Sequence, residues 1–253
     1  VTGLFIHVIE RNITAYRRMW WWFATGFAEP VLYLLSIGIG VGTLVGKVPY
    51  GGARIDYKQF VAPGMLAASA MQGSVLDTTF NFFFKFKWAK TYDAMLVTPM
   101  DTRDIARGEL GWALLRGGLY ATAFLVTMVA LGFVESAWAV LALPVAVLIG
   151  FAFAGAGMAA TTWMRSFVDF DYVNMILIPL FLFSATFFPL GRYPDALQWI
   201  VKCTPLYQGV ALERALVLGN VGWSLLIHVA YLVVMGLVGL RIAGTRLQLL
   251  LKP

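Results

Sequence analysis

Mostly apolar stretches of about 20 residues, the length that carries a helix across a bilayer core, recur along the chain at 22–45, 59–83, 110–133, 138–162, 172–189 and 222–242. Ahead of them the pattern becomes periodic. Phe5, Val8, Ile9, Ile13, Tyr16, Met19 and Trp20 fall on one side of a helical wheel, and His7, Glu10, Arg11, Thr14, Arg17 and Arg18 on the other. Residues 1–20 are therefore expected to form an amphipathic helix lying along the membrane surface, with a frayed, solvated tail as the alternative. Arg17 and Arg18 precede an apolar run long enough to span, which is not the pattern of a cleaved secretory signal. The expected fold class is all-α: a single polytopic membrane domain over 1–253 with six transmembrane helices.

Between these stretches, 85–108 and 189–219 are long enough for structure of their own. The first mixes Lys85, Lys87 and Lys90 with Asp93, Asp101 and Asp104 around Ala94, Met95, Leu96 and Val97. Thr98-Pro99 is expected to stop a helix that begins near Phe86, and Asp101 or Thr102 to cap the next one. A short helix-turn-helix under the membrane and a solvated loop both fit. In the second segment Pro189, Pro194 and Pro205 separate short runs with apolar residues at helical spacing. These are expected to form re-entrant helices dipping into the outer leaflet, or else an exposed amphipathic loop.

Composition agrees with a membrane protein: 60% of the 253 residues are hydrophobic and 13% charged, against roughly 25% charged in a soluble domain. The net charge of +6 is topological. Arg11, Arg17, Arg18, Lys85, Lys87, Lys90, Arg103, Arg107, Arg165, Arg241, Arg246 and Lys252 fall on one side of the expected spans, and only Lys47, Arg54, Lys58, Arg192, Lys202 and Arg214 on the other. The excess places both termini in the cytosol and argues against nucleic acid as a partner. The one cysteine, Cys203, cannot form an intrachain disulfide, and with His7 and His228 far apart no His/Cys metal cluster is expected.

Gly42-Thr43-Leu44-Val45-Gly46-Lys47-Val48 is one residue short of a phosphate-binding loop and lacks the hydroxyl residue after the lysine. Gly38, Gly42 and Gly46 read instead as small residues that let another helix approach. Charges inside the spans are more informative. Glu29, Asp77 and Arg116 each lie roughly 10 Å below the cytosolic boundary at 1.5 Å per residue. Arg116 is expected to pair with Glu29 or Asp77, the alternative being that it snorkels to the head groups. Pro30, Pro63, Pro144 and Pro179 mark possible bends, and Phe80, Phe82, Phe83, Phe84, Phe86 and Trp88 read as an interfacial aromatic belt.

Two groups of residues carry a family resemblance over essentially the whole chain. One is Asp93-Ala94-Met95-Leu96-Val97-Thr98-Pro99 with Arg103-Asp104-Ile105-Ala106-Arg107-Gly108-Glu109; the other runs from Pro179 to Tyr207, with Glu213-Arg214. With them the chain resembles the ABC-2 type transporter permeases, and most closely the nodulation protein J-like lipooligosaccharide and drug exporters. Asp93 stands where the family often has glutamate, and Ala185 where glycine is frequent.

The resemblance implies half of an exporter in the bacterial inner membrane: two permease chains, identical or related, driven by two ATPase subunits that hold ATP and Mg. This chain would carry no cofactor and no catalytic residue. Its coupling helix would lie around Tyr92, Asp93, Leu96, Thr98, Pro99, Arg103 and Asp104. Phe187, Phe188, Pro189, Leu190 and Tyr207 are expected at an outer gate, and the cargo would be an amphiphilic drug, lipid or lipid-linked glycan. An ion-driven carrier needs charges near the bilayer centre and usually an internal repeat; neither is evident. A nontransporting scaffold leaves the bent spans unexplained.

Overall fold

The computed structural model describes residues 3–17, 28 and 31–251. Arg18, Met19, Trp20, Glu29, Pro30 and Lys252 lie outside them, so the expected Glu29 partnership and the Pro30 bend do too. The described chain is mostly helical, in the order α1 (Phe5–Tyr16), α2 (Val31–Val45), β1 (Lys47–Tyr50), β2 (Ala53–Asp56), α3 (Tyr57–Leu76), α4 (Thr91–Leu96) and α5 (Thr102–Ala130). A 3-10 turn at Ala137–Leu141 then leads into α6 (Ala142–Thr161), followed by α7 (Asp169–Leu182), α8 (Asp195–Cys203), α9 (Pro205–Leu218) and α10 (Leu225–Leu251). Three helical stretches, Thr102–Ala130, Ala137–Thr161 and Leu225–Leu251, are long and apolar enough to cross a membrane.

The all-α expectation needs correction. β1 and β2 form an antiparallel hairpin that pairs Val48 with Ile55 and Tyr50 with Ala53. Its turn, Gly51-Gly52, has φ of 58° and 83°, the left-handed pair that matches the twist of a two-residue hairpin loop. Gly46, expected as part of a small-residue stripe, instead closes α2 at φ 69°.

Helix ends follow local chemistry where capping decides them. Asp101 accepts from the Thr102 N–H at 2.9 Å, and its own N–H donates to Asp104 at 3.3 Å, a reciprocal cap that starts α5. α3 continues through π turns at Asp77–Asn81 and Phe84–Trp88, so the helix expected from Phe86 to Thr98 is divided. Lys90 takes φ 46°, and α4 begins anew at Thr91. The stretch 172–189 is also shorter than expected, with α7 ending at Leu182 and Ala185 at φ 57°.

α3 and α6 form the centre of the core, where Phe60, Leu66, Met71, Phe124 and Ile149 are buried. Glycines set the closest crossings. A Cβ on Gly155 of α6 would sit 2.6 Å from the Gly236 carbonyl oxygen of α10, and one on Gly150 would sit 2.8 Å from the Ser74 hydroxyl of α3. Phe82, Phe83 and Phe86 are buried, while Phe80, Phe84 and Trp88 are exposed. The expected aromatic belt is therefore half core.

Candidate functional site

α4 divides its residues sharply between a buried side and an exposed one. Tyr92 is fully buried, its ring 5.1 Å from that of Phe82 and 6.5 Å from that of Phe86. Leu96 is half-buried against the same cluster. Asp93, Thr98, Pro99 and Arg103 are exposed, Asp104 is half-buried beside its cap, and Val97 is 89% exposed at the tip. The Thr98 hydroxyl donates to the Met95 carbonyl at 2.6 Å and closes the tip. Of the residues expected to meet a partner, Tyr92 therefore cannot touch one. It anchors the helix whose other side is free.

A polar cluster holds this region together, and the sequence reading did not assemble it. Lys85, on the extension of α3, donates to Glu109 of α5 at 2.6 Å and to Asn12 of α1 at 3.0 Å; the Asn12 amide donates to Glu109 at 3.3 Å. Asn12 and Glu109 are buried. α1 packs on the same stretch of α5 because Gly108 and Gly111 make room for it: a Cβ on Gly108 would lie 2.5 Å from Val8 Cβ, and one on Gly111 2.8 Å from Ile9 Cδ1. α1 buries Val8 and Asn12, and leaves Ile13 exposed. Reading Lys85 only as a topological charge hid its role. The available signal was the spacing of acid and base, Asp77 to Lys85 and Glu109 to Arg116, on two adjoining helices.

Higher on the same two helices, Arg116 Nη1 donates to Asp77 Oδ1 at 2.8 Å. Asn81 also donates to Asp77, at 2.6 Å, and Arg116 Nε to the Tyr120 hydroxyl at 3.2 Å. Tyr16 of α1 lies under the guanidinium, 5.7 Å from ring centre to Cζ. Removing one partner of a buried pair leaves the other uncompensated and costs about 3 kcal/mol or more. Arg116→Leu is expected to lower the melting temperature of the purified chain in detergent, with part of the loss recovered by adding Asp77→Asn. No recovery would show that the pair does not carry the effect.

On the far side of the fold the chain breaks after α7. The Ser184 hydroxyl donates to the Phe181 carbonyl and lies 2.7 Å from that of Thr186. Arg214, counted above among loop charges, is only 4% exposed. Its Nη2 donates to the carbonyls of Ala185 (2.9 Å) and Thr186 (3.3 Å), and its Nε to that of Phe60 (3.0 Å). Gly64 of α3 lets Thr186 approach; a Cβ there would meet Thr186 Cγ2 at 3.0 Å. Beyond this knot the Phe187 ring lies 5.1 Å from that of Phe181, Phe188 is exposed, and Pro189 and Leu190 are half-buried. Tyr207, on α9, is half-buried with its ring 6.4 Å from that of His228.

Between the two ends, a groove of about 350 Å³ separates α3 from α7. It is apolar along Val75, Leu76, Phe80, Val173, Leu177 and Phe181, with Gln72, Thr79 and Asn174 set into it. Among the described residues no group of three His, Cys, Asp or Glu gathers to hold a metal.

Residues 3–218 match the family model of the ABC-2 type transporter. The chain is similar to nodulation protein J of Rhizobium leguminosarum bv. viciae, 32% identical over 226 residues covering 87% of this chain and 86% of that protein. Its similarity to nodulation protein J of Rhizobium meliloti (strain 1021) is 33% over 226 residues, covering 88% and 83%. It is also 27% identical over 200 residues to the inner membrane transport permease YadH of Escherichia coli (strain K12), covering 78% and 75%. The chain belongs to the ABC-2 type transporter family as a polytopic membrane permease, itself non-catalytic, of the kind that pairs with separate ABC ATPase subunits.

Proposed function

We propose that the chain is the permease half of an exporter that moves an amphiphilic molecule, a hydrophobic drug, a lipid or a lipid-linked glycan, across the bacterial inner membrane. Two permease chains, identical or related, stand side by side, and two ABC ATPase subunits dock from the cytosol and hold ATP and Mg. α2, extended α3, α5, α6, α7 and α10 are the six spans, with both termini cytosolic as the distribution of Arg and Lys favours. α7 has 14 residues, about 21 Å of helix; the segment 183–189, buried at Ser184, Ala185 and Thr186, completes its crossing. α8 and α9 are the re-entrant pieces on the outer side.

The observation that carries this reading is the tip of α4. Val97 is 89% exposed, and Ala94, Pro99 and two opposite charges, Asp93 and Arg103, are exposed within a few residues of it. A small apolar knob between opposite charges suits a groove on a soluble partner, the charges fixing its orientation. Behind it, Tyr92 and the Lys85–Glu109–Asn12 cluster tie α4 to the helices that must move. The groove between α3 and α7 supplies an amphiphile with an apolar wall and a few hydrogen-bonding groups. Phe187, Phe188, Pro189, Leu190 and Tyr207 form the outer gate.

The test is purification of the tagged chain from its native membrane in mild detergent, with mass spectrometry of what stays bound. A stoichiometric P-loop ATPase is expected, and Val97→Glu should remove it while leaving the melting temperature of the chain unchanged. No ATPase, even after crosslinking, would favour an ion-driven carrier or a scaffold instead.

A further inference from the structure

Glu213 of α9 is fully buried, and neither of its carboxyl oxygens has a hydrogen-bond partner among the described residues. Such groups are uncommon in native proteins, and each calls for a physical reason. One turn earlier on α9, Gly209 faces α6, where a Cβ would meet Ile149 Cδ1 at 2.8 Å. At the other end of α9 the Val217 carbonyl accepts from the Glu135 N–H at 3.2 Å, and Gly219 lies against Ser136. α9 therefore runs antiparallel to the chain entering α6. Glu213 comes opposite the first turns of α6, where Ala142 and Ala146 are buried.

The elements packed on α9 are α3, α6, α8, α10 and the 3-10 turn before α6. α6 and the turn carry no ionisable side chain, and Glu135, just ahead of the turn, is exposed. Tyr57 and Lys58 begin α3, and the Lys58 ammonium lies 5.7 Å from the Phe133 ring centre. Asp195, Lys202 and Cys203 of α8 are exposed. On α10, His228 bonds to Gln208 and packs on Tyr207, Tyr231 donates to the Cys203 carbonyl, and Arg241 and Arg246 lie in the far half. Arg214 is next in sequence, but adjacent residues on a helix do not face each other, and its donors serve the carbonyls of Phe60, Ala185 and Thr186. Among the described residues nothing charged bonds to Glu213. An ionised carboxylate buried in this way is too costly to keep, and the group holds a proton instead.

We infer that Glu213 is a proton-binding site, neutral while α9 is seated on α6, and that it gives its proton to water on the outer side when α9 lifts away. The carboxyl O–H bond breaks, its electron pair stays on the carboxylate, and water takes the proton. An exposed glutamate ionises near pH 4. Above that, each further pH unit makes lifting up to tenfold easier, until the seated carboxyl itself ionises. The seat is thus firmest in acid and loosens as the outer medium turns alkaline. α9 also carries Arg214, whose bonds hold the break that leads into Phe187 and Phe188, so the same motion frees the outer gate. Release to the outer side rests on α9 being an outer re-entrant piece.

Glu213→Gln tests this, because it keeps the shape of the neutral acid and cannot ionise. In the purified full-length chain at pH 7, the infrared carbonyl band of a protonated carboxylic acid is expected in the wild type and should lose one group's intensity in the variant. No loss would overturn the inference. Hydrogen exchange across 205–218, compared between the two chains at the same pH, should differ little at pH 5 and be at least tenfold faster in the wild type at pH 8. A difference that does not widen with pH, or a wild type better protected at pH 8, would also overturn it. Neither measurement involves an ATPase, so both stand apart from the docking reading. The side is checked at Cys203, exposed at the end of α8, with a membrane-impermeant maleimide in spheroplasts. Labelling is expected; its absence would overturn release to the outer side, and the outer placement of α8 and α9 with it, while the proton site stands.

Discussion

Gly239→Val is expected to abolish the folded permease. A Cβ at position 239 would overlap the Gly155 backbone and stand 2.6 Å from the Ala156 nitrogen of α6. Backbone cannot rotate away as a flexible side chain does. On the other side of the crossing Gly155 faces the Gly236 carbonyl, and the Phe151 ring lies on Gly236. α6 and α10 are thus in backbone contact over more than a turn, and helices that lie in lipid associate largely through such close packing. Forcing an isopropyl group into the contact costs about 3 kcal/mol, a large part of the stability of a domain. Gly244→Ala is the control on the same helix. A Cβ there meets nothing within 4 Å, so the better helix former should be neutral or stabilising by up to about 1 kcal/mol. Thermal unfolding and size-exclusion profiles in detergent separate the two outcomes, and equal behaviour would mean that the crossing is looser than described.

Arg214→Met should have the next largest effect, and a more local one. The guanidinium serves three carbonyls on two separate segments and lies 3.8 Å above the Phe60 ring centre. Without it, the Ala185 and Thr186 carbonyls lose a buried donor. An orphaned buried acceptor costs about 1–3 kcal/mol, so the total is on the order of 3 kcal/mol. Arg214→Lys should recover only part, because a lysine has no planar fork to reach both segments. The signature is positional: hydrogen exchange should rise first across 183–190, the segment that leads into Phe187 and Phe188. A uniform rise along the chain would show that Arg214 supports the whole fold and not the break after α7.

These two sites also show what was legible from the residues and what was not. The start of α5 was readable because Thr98-Pro99 and Asp101 act within a few residues of themselves. The early end of α7 was not. Phe181 to Phe188 stays apolar apart from Ser184 and Thr186, and what holds Ala185 in a left-handed turn is Arg214, 29 residues further on. The hairpin was missed for a different reason. Its strands are only four residues each and include Pro49, so the Gly51-Gly52 doublet was its one clear mark.

Around α4, four residues of the expected docking segment, Asp93, Thr98, Pro99 and Arg103, are exposed. Tyr92 and the Lys85–Glu109–Asn12 cluster were not readable as an anchor, because sequence periodicity reports which side of a helix is apolar but not which polar residue on another helix will face it. Asn12 is the clearest case: a polar side chain turned inward, satisfied by residues 73 and 97 positions away.

An ATPase subunit is expected to sit on the tip of α4. This placement is tested most directly by placing a photo-crosslinking amino acid at Val97 and, as a control, at Leu44, which is 87% exposed at the opposite end of the fold. Irradiated in native membranes, the Val97 chain should yield one adduct containing a P-loop ATPase, and the Leu44 chain none. An ATPase adduct from Leu44 but not from Val97, or from neither while the chain remains folded, would contradict the account.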